Sequence, residues 1–359
     1  MGGVLALDGS HGEGGGQVLR TALSLSIVTG RPVHLRNIRA GRRNPGLQPQ
    51  HLSAVRAAAA ISDAAVSGDH IGSIELTFAP RSPAMPGQYQ FDVAEIAEHG
   101  SAGCVNLILQ TLLVPLAGAP GPTVLTLRGG THVESAPSFD DIENAYLPAL
   151  RRMGLSADAE LAQWGWYPVG GGEVVCRIAP TPRSDRRPWL RPILATEQGA
   201  LLRIRGRAVA ANLPMHIAQR IRDRASAGLG QLSVPIDIEP QCVSAPCAGA
   251  GIFSRAEYDG LAASFSAYGK RGKPSEAVAD EAVGALLAHQ SAGAAVELHL
   301  ADQLLLPLAV ASGASVLVVA RSTPHLVTNA WVIEQFGIAE ISIDEGAPCR
   351  VGVKPRQWR

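Results

Sequence analysis

One pattern recurs along the chain and limits the possible folds more than any other feature. A helical stretch at residues 17–30 leads into the apolar strand "PVHLRNI". A loop, the helix "PQHLSAVRAAAAIS" and two strands, "SIELTFA" and "QYQFDV", follow. The order helix, strand, helix, strand, strand returns as "GCVNLILQTLLVPLAG", "TVLTLRG", "FDDIENAYLPALRRMG", "DAELAQWG" and "GEVVCRIA". A third copy reads "ADQLLLPLAVA", "SVLVVA", "PHLVTNAWVIEQF", "IAEISID" and "CRVGVK". Apolar residues at helical or alternating spacing carry each assignment. Ser138 with Asp141 gives a capping-box start to the second helix of the second copy. Three such units predict an α+β protein, an α/β sandwich of small sheets covered by helices.

Residues 183–288 break the rhythm. They begin in the Pro- and Arg-rich stretch "TPRSDRRPWLRP" (residues 181–192), which reads as a linker. The strand "LLRIRGRAVA", the helix "PMHIAQRIRDRASAGL", strands around "SVPIDIEPQ" and "SFSAYG", and the helix "SEAVADEAVGALLAH" make a small α+β domain's worth of chain. The expected division is therefore 1–182 for the first two repeats, 183–288 for an inserted domain and 289–359 for the third repeat.

Composition removes several classes of function. Formal net charge is +0, so attraction of the whole surface to nucleic acid is not expected and an anion site must be a local cluster. No apolar run reaches the ~20 residues of a membrane span, and "MGGVLALDG" lacks the basic start of a signal peptide. Five scattered cysteines fit reduced thiols in cytoplasm, and only Cys242 and Cys247 lie close together, without a second metal-ligand pair.

The loops carry the chemistry. "GEGGGQ" opens the first helix, and glycine-rich helix starts cradle phosphate through backbone N–H groups. Glu13 sits inside it, where a carboxylate would repel a bare phosphate. The first strand-to-helix loop, "RNIRAGRRNPGLQPQ", holds Arg36, Arg39, Arg42 and Arg43. The second is "RGGTHVESAPSF", and the third, "ARSTPHLVTN", places His325 at a helix start. A tight turn, a solvated basic face or a structural histidine explains each alone. Equivalent loops of a repeat bring them to one end of the sheets, where a histidine near phosphate-holding arginines could attack phosphorus.

These blocks resemble the RNA 3′-terminal phosphate cyclase family. "LDGSHGEGGGQVLRTALSLS" resembles its opening signature, "IRAGRRNPGLQPQHL" its second block and "GWYPVGGGE" a third. "HLADQLLLP" and "STPHLVTN" resemble its C-terminal blocks, so the likeness spans nearly the whole chain in order. The resemblance implies three units like a translation initiation factor C-terminal domain and one smaller insert. It implies ATP as co-substrate, Mg2+ or Mn2+, and an RNA with a 3′-phosphate end. His325 matches the nucleophile that takes AMP from ATP. Glu13 matches a metal-associated glutamate, which answers how a carboxylate sits in a phosphate loop. Arg20, Arg39 and Arg42 match phosphate-holding arginines, and Gln50 another polar position at the RNA end. Arg43 has no match and reads as solvent-facing. Gln110 and the run His299, Leu300, Ala301, Asp302 and Gln303 match nucleotide contacts. Close bacterial members of the family carry tyrosine where this chain has His299, a ring that stacks on adenine.

Two other readings compete. A non-catalytic branch of the family serves ribosome assembly and lacks the nucleophilic histidine. An enolpyruvyl transferase would share a distant fold and form no covalent nucleotide. The oligomeric state stays open, a dimer being one outcome. The basic runs "RIRGR" and "QRIRDR" of the insert read either as a solvated face or as a guide for RNA.

Overall fold

The computed structural model describes residues 3–96, 101–181 and 189–357, so most of the expected linker lies outside the described residues. Three of its four-stranded sheets share one strand order and one pattern of pairing. In the first, β1 (Leu5–Asp8) runs parallel to β2 (Val33–Arg36), and β3 (Ala65–Ser67) and β4 (Leu76–Ala79) complete the order β1-β2-β4-β3. Helices α1 (Gln17–Thr29) and α2 (Pro49–Ser62) connect these strands. The second sheet is β5-β6-β8-β7, from β5 (Gly87–Asp92), β6 (Thr123–Gly129), β7 (Ala157–Gln163) and β8 (Gly172–Ile178). Its helices are α3 (Val105–Ala117) and the pair α4 (Phe139–Asp141) and α5 (Leu147–Arg152), joined by a π turn at Ile142–Tyr146. The expected capping box is present: Ser138 Oγ accepts from Asp141 N at 3.0 Å and Ser138 N donates to Asp141 Oδ2 at 2.7 Å.

The third sheet brackets the insertion. Its first strand, β9 (Leu194–Ala195), pairs in parallel with β14 (Ser315–Val319) across a hundred intervening residues. That intervening chain forms its own sheet, ordered β11-β10-β12-β13. The strands are β10 (Leu201–Ala211), β11 (Ile236–Val243), β12 (Gly249–Tyr258) and β13 (Ala263–Tyr268). Helices α6 (Met215–Leu229) and α7 (Ser275–Ala292) cover it, and residues such as Ile221, Phe265 and Leu286 form a separate core. Helix α8 (Leu298–Ala309), β14, α9 (Pro324–Phe336), β15 (Ala339–Asp344) and β16 (Cys349–Pro355) finish the third unit. The insert thus sits between a first strand and a first helix, the place that the glycine loop holds in the first unit.

Two expectations need correction. The strand "QYQFDV", residues 88–93, is expected in the first unit, yet β5 pairs with β6 and opens the second sheet. The error follows from β3, three residues with too little apolar alternation to be recognised. Strand β12 was missed because "GAGIFSRAEY" opens with glycines that read as a turn. A continuous apolar core runs through the three units, and no helix among the described residues is long and apolar enough to cross a membrane.

Candidate active site

The units and the insert enclose a cleft of about 1270 Å³. Every residue named from the resemblance lines it except Ala301. Ala301 is 1% exposed and belongs to the apolar core. Successive helical residues point about 100° apart, so a five-residue run on α8 cannot all face one cleft.

His325 is the second residue of α9. Pro324 fills the first position, and Thr323 Oγ1 caps the helix by accepting from Leu326 N at 3.1 Å. Its Nδ1 lies 3.1 Å from Glu13 Oε1, and Arg42 reaches Glu13 Oε2 at 3.0 Å. Burial pushes the Glu13 carboxyl up, but His325, Arg42 and Arg20 outweigh it and hold the group below its ordinary value. Glu13 therefore stays ionised beside the Nδ1 edge of the ring, close to it but without an aligned hydrogen bond.

The glycine loop is shaped around these side chains. Glu13 N donates to Thr328 Oγ1 at 3.2 Å, tying the loop to α9. Gly12 has φ +63°, and a Cβ there would lie 2.2 Å from Thr328 Oγ1. A Cβ at Gly16 would meet His51 Nε2 at 2.5 Å and Arg20 Nη1 at 2.8 Å. Gly16 is also the N-cap of α1 and offers no side chain to its first N–H groups. That uncapped helix start faces the cleft beside Arg20.

The arginines differ in how free they are. Arg20 is half-buried and donates to Gln17 Oε1 at 2.7 Å. Arg39 braces its own loop by donating to the carbonyls of Asn44 and Gly46 at 2.5 and 3.0 Å. Arg43 is exposed and does not line the cleft. Burial, with the charges of Arg20, Arg39 and Arg42, pushes the His51 ring down to about 3, so it is neutral. Gln50 Oε1 accepts from Cys104 N at 3.3 Å.

Also lining the cleft, Glu297 caps α8 through His299 N and Leu300 N and holds His299 Nδ1 at 2.8 Å. That bond and the charge beside it push His299 up to about 9, so it is an imidazolium at neutral pH, with its side chain 78% exposed. Asp302 is buried and its carboxyl is pushed up to about 7 by that burial.

Sequence reasoning missed the part that the insert contributes. Ser264, Ser266 and Tyr268 alternate along β13 and line the cleft, and both serine hydroxyls donate to Asp141 Oδ1, at 2.7 and 2.8 Å. The period-two alternation of "SFSAY" was the available signal. A second contact ties insert to body. Arg207 donates to both Asp140 oxygens at 2.8 and 2.9 Å, Asp140 faces His132 at 2.9 Å, and Arg207 lies over the Trp164 ring. The runs "RIRGR" and "QRIRDR" are largely neutralised, since Arg203, Arg220, Arg222 and Arg224 each sit in an ion pair.

An arginine-lined cleft, an uncapped helix start and a histidine beside a carboxylate make an arrangement that can bind phosphorylated ligands and offer them a nucleophile. The family profile for RNA 3′-terminal phosphate cyclase matches residues 11–343. A protein of that name from Methylococcus capsulatus is 50% identical over 350 residues, covering 98% of this chain and 95% of its own. One from Trichormus variabilis is 47% identical over 342 residues, covering 95% and 97%. One from Pyrococcus furiosus is 37% identical over 359 residues, covering 99% and 100%. The chain belongs to the RNA 3′-terminal phosphate cyclase family. Among solved structures, the enolpyruvyl transferase NikO from Streptomyces tendae overlaps 50% of this chain and 33% of its own at 15% identity and a TM-score of 0.26, too little to bear on the fold.

Proposed function

We propose that this chain converts an RNA 3′-phosphate to a 2′,3′-cyclic phosphodiester, using ATP. The observation that carries the reading is His325 held by Glu13 inside an arginine-lined cleft. His325 Nε2 attacks the α-phosphorus of ATP; the bond to the bridging oxygen breaks and pyrophosphate leaves. The charge of Glu13 beside the ring stabilises the cation that forms. An oxygen of the RNA 3′-phosphate then takes the AMP and frees the ring. Last, the neighbouring 2′-hydroxyl attacks the activated RNA phosphorus, the cyclic diester closes and AMP leaves. Arg20, Arg39, Arg42 and the start of α1 hold the phosphates, and Gln50 the RNA end. Gln110, Leu300, Asp302 and Gln303 contact the nucleoside.

The residues fit a divalent cation in part. Glu13 Oε1 is buried without an aligned hydrogen-bond donor, one oxygen open to Mg2+ or Mn2+. Among the described residues no three His, Cys, Asp or Glu side chains cluster at metal spacing, so other ligands would come from phosphates and water, as Mg2+ accepts. Such an ion would supply charge for the departing pyrophosphate. The three like sheets are taken as the family's initiation-factor-like unit repeated, and the insert as the chain between β9 and α8. Five unpaired cysteines support a cytoplasmic location.

Incubation with α-labelled ATP tests the reading. The protein should become labelled at a histidine, and an RNA ending in 2′-deoxyribose 3′-phosphate should accept AMP yet not cyclise. The tethered 2′-hydroxyl supplies about 7–11 kcal/mol of the last barrier by placement alone, so the adenylylated strand should accumulate. A non-catalytic assembly factor or an enolpyruvyl transferase would take no label.

His299 gives a second expectation. If its charged ring stacks on adenine, His299→Ala should weaken ATP binding by about 1–3 kcal/mol, roughly 5- to 150-fold in Kd. His299→Tyr should bind as tightly or more so. Equal affinity of all three proteins by calorimetry would place His299 outside the base pocket.

A further inference from the structure

The block "GWYPVGGGE" has no task in this mechanism, yet its apex is unusual. Tyr167 is 76% exposed and Val169 48%, two large side chains two residues apart in sequence and both at the surface. The turn beneath them is firmly held. Trp166 is buried, Gly170 N donates to Trp166 O at 2.7 Å, and Gly165 N donates to Thr131 Oγ1 at 2.9 Å. Residue 170 also bridges to Ser101. An aromatic ring on a rigid turn loses little freedom when something packs on it.

The turn adjoins the cleft on two sides. The Trp166 ring lies 6.2 Å from Tyr268, edge to face, and Tyr268 lines the cleft. On the other side, residues 101–104 run from the Gly170 bridge to Cys104, whose N–H holds Gln50 at the expected RNA end. Immediately after Tyr268 comes the turn "GKRGK". Lys273 Nζ donates to Tyr268 O at 2.9 Å and pairs with Glu281, which fixes the turn. Lys270 and Arg271 are exposed, and neither is in an ion pair among the described residues. Lys270 follows Tyr268 by two residues, at most ~7 Å of chain. An exposed ring and two unpaired cations therefore flank one Trp166–Tyr268 pair at the cleft wall.

We propose that the Trp166–Gly172 and Tyr268–Lys273 turns form a platform for the single-stranded RNA that leads into the cleft, with Tyr167 stacking on an unpaired base and Lys270 and Arg271 holding backbone phosphates. The proposal rests on the cyclase reading, because it needs RNA as the substrate. The chemistry is that of sequence-tolerant single-strand binding: aromatic faces for bases, cations for the backbone. A chain with no net charge needs such a local cluster to hold a polyanion.

Binding of 3′-phosphorylated oligonucleotides of increasing length, read by fluorescence anisotropy, tests it. Tyr167→Ala should weaken binding of a decamer by roughly 5- to 100-fold while leaving a dinucleotide nearly unaffected, and Tyr167→Phe should restore the decamer. Lys270→Gln and Arg271→Gln should each reduce the salt dependence of decamer binding by about 0.7 in log–log slope. Decamer affinity unchanged in Tyr167→Ala, or a loss equal for dinucleotide and decamer, overturns the platform. So does a shift in sedimentation of Tyr167→Ala with RNA affinity intact, which would assign the face to a second copy of the chain. Self-labelling of the unaltered protein by ATP keeps the two readings apart: no label sinks the cyclase assignment, whereas label with unaltered decamer binding sinks only the platform.

Discussion

His325→Ala will take less than about one-thousandth of the wild-type label from α-labelled ATP, because His325 is the cleft imidazole that stands at a helix start beside Glu13. His51, the other cleft imidazole near the arginines, is buried against Arg20 at the glycine loop. Label that persists in the variant, or that maps to another residue, would remove His325 from the mechanism. Glu13→Gln separates the two tasks that fall on the neighbouring carboxylate. It keeps the shape but loses the charge that faces Nδ1 at 3.1 Å. Labelling should slow on the order of 10²-fold or more, as when a carboxylate that orients a catalytic imidazole becomes an amide. A loss that excess divalent cation largely repairs would show that Glu13 acts mainly through a metal. A loss indifferent to the cation would show that it acts by holding the ring.

The order of helices and strands was legible because helices such as α1 and α3 are long apolar runs, buried on nearly every side. Helix α9, residues 324–336, has the bounds that "PHLVTNAWVIEQF" implies, since Thr323 caps it and Gly337 ends it in the left-handed region. The first strand of each unit was not recognised as such. Strand β9 is two residues long, and it joins its sheet only through pairing with Leu317 and its neighbour a hundred residues away. No local pattern can report that. The site divides the same way. Glu13, Arg20 and His325 stand in short blocks whose residue types state their chemistry. Ser264, Ser266 and Tyr268 do not, because their position in the cleft depends on how the insert docks, through contacts such as Arg207 with Asp140. The charge on His299 also needed the structure, since it comes from Glu297 two residues earlier.

Asp302→Asn should make the free protein more stable at pH 8 and no more stable near pH 4. The carboxyl is 9% exposed, makes no side-chain hydrogen bond among the described residues, and is pushed up by burial to about 7 from 3.8, with His325 and His299 only partly opposing. The sign follows from proton counting. Between about pH 4 and pH 7 the folded protein keeps a proton on Asp302 that the unfolded chain has released, so stability attributable to this group falls as pH rises through that window. A rise of about 3 pH units corresponds to a ceiling of about 4 kcal/mol, which asparagine avoids at any pH. Urea unfolding of both proteins at pH 5 and pH 8 measures the difference directly. The gap should widen several-fold from the lower to the higher pH. An equal gap at both would show that Asp302 is hydrated and ionised throughout. The same carboxyl is left without a partner inside a cleft proposed to hold a nucleoside, whose ribose hydroxyls are donors. Asp302→Asn should therefore bind ATP more weakly while unfolding later, the opposite of what a residue retained for packing would show.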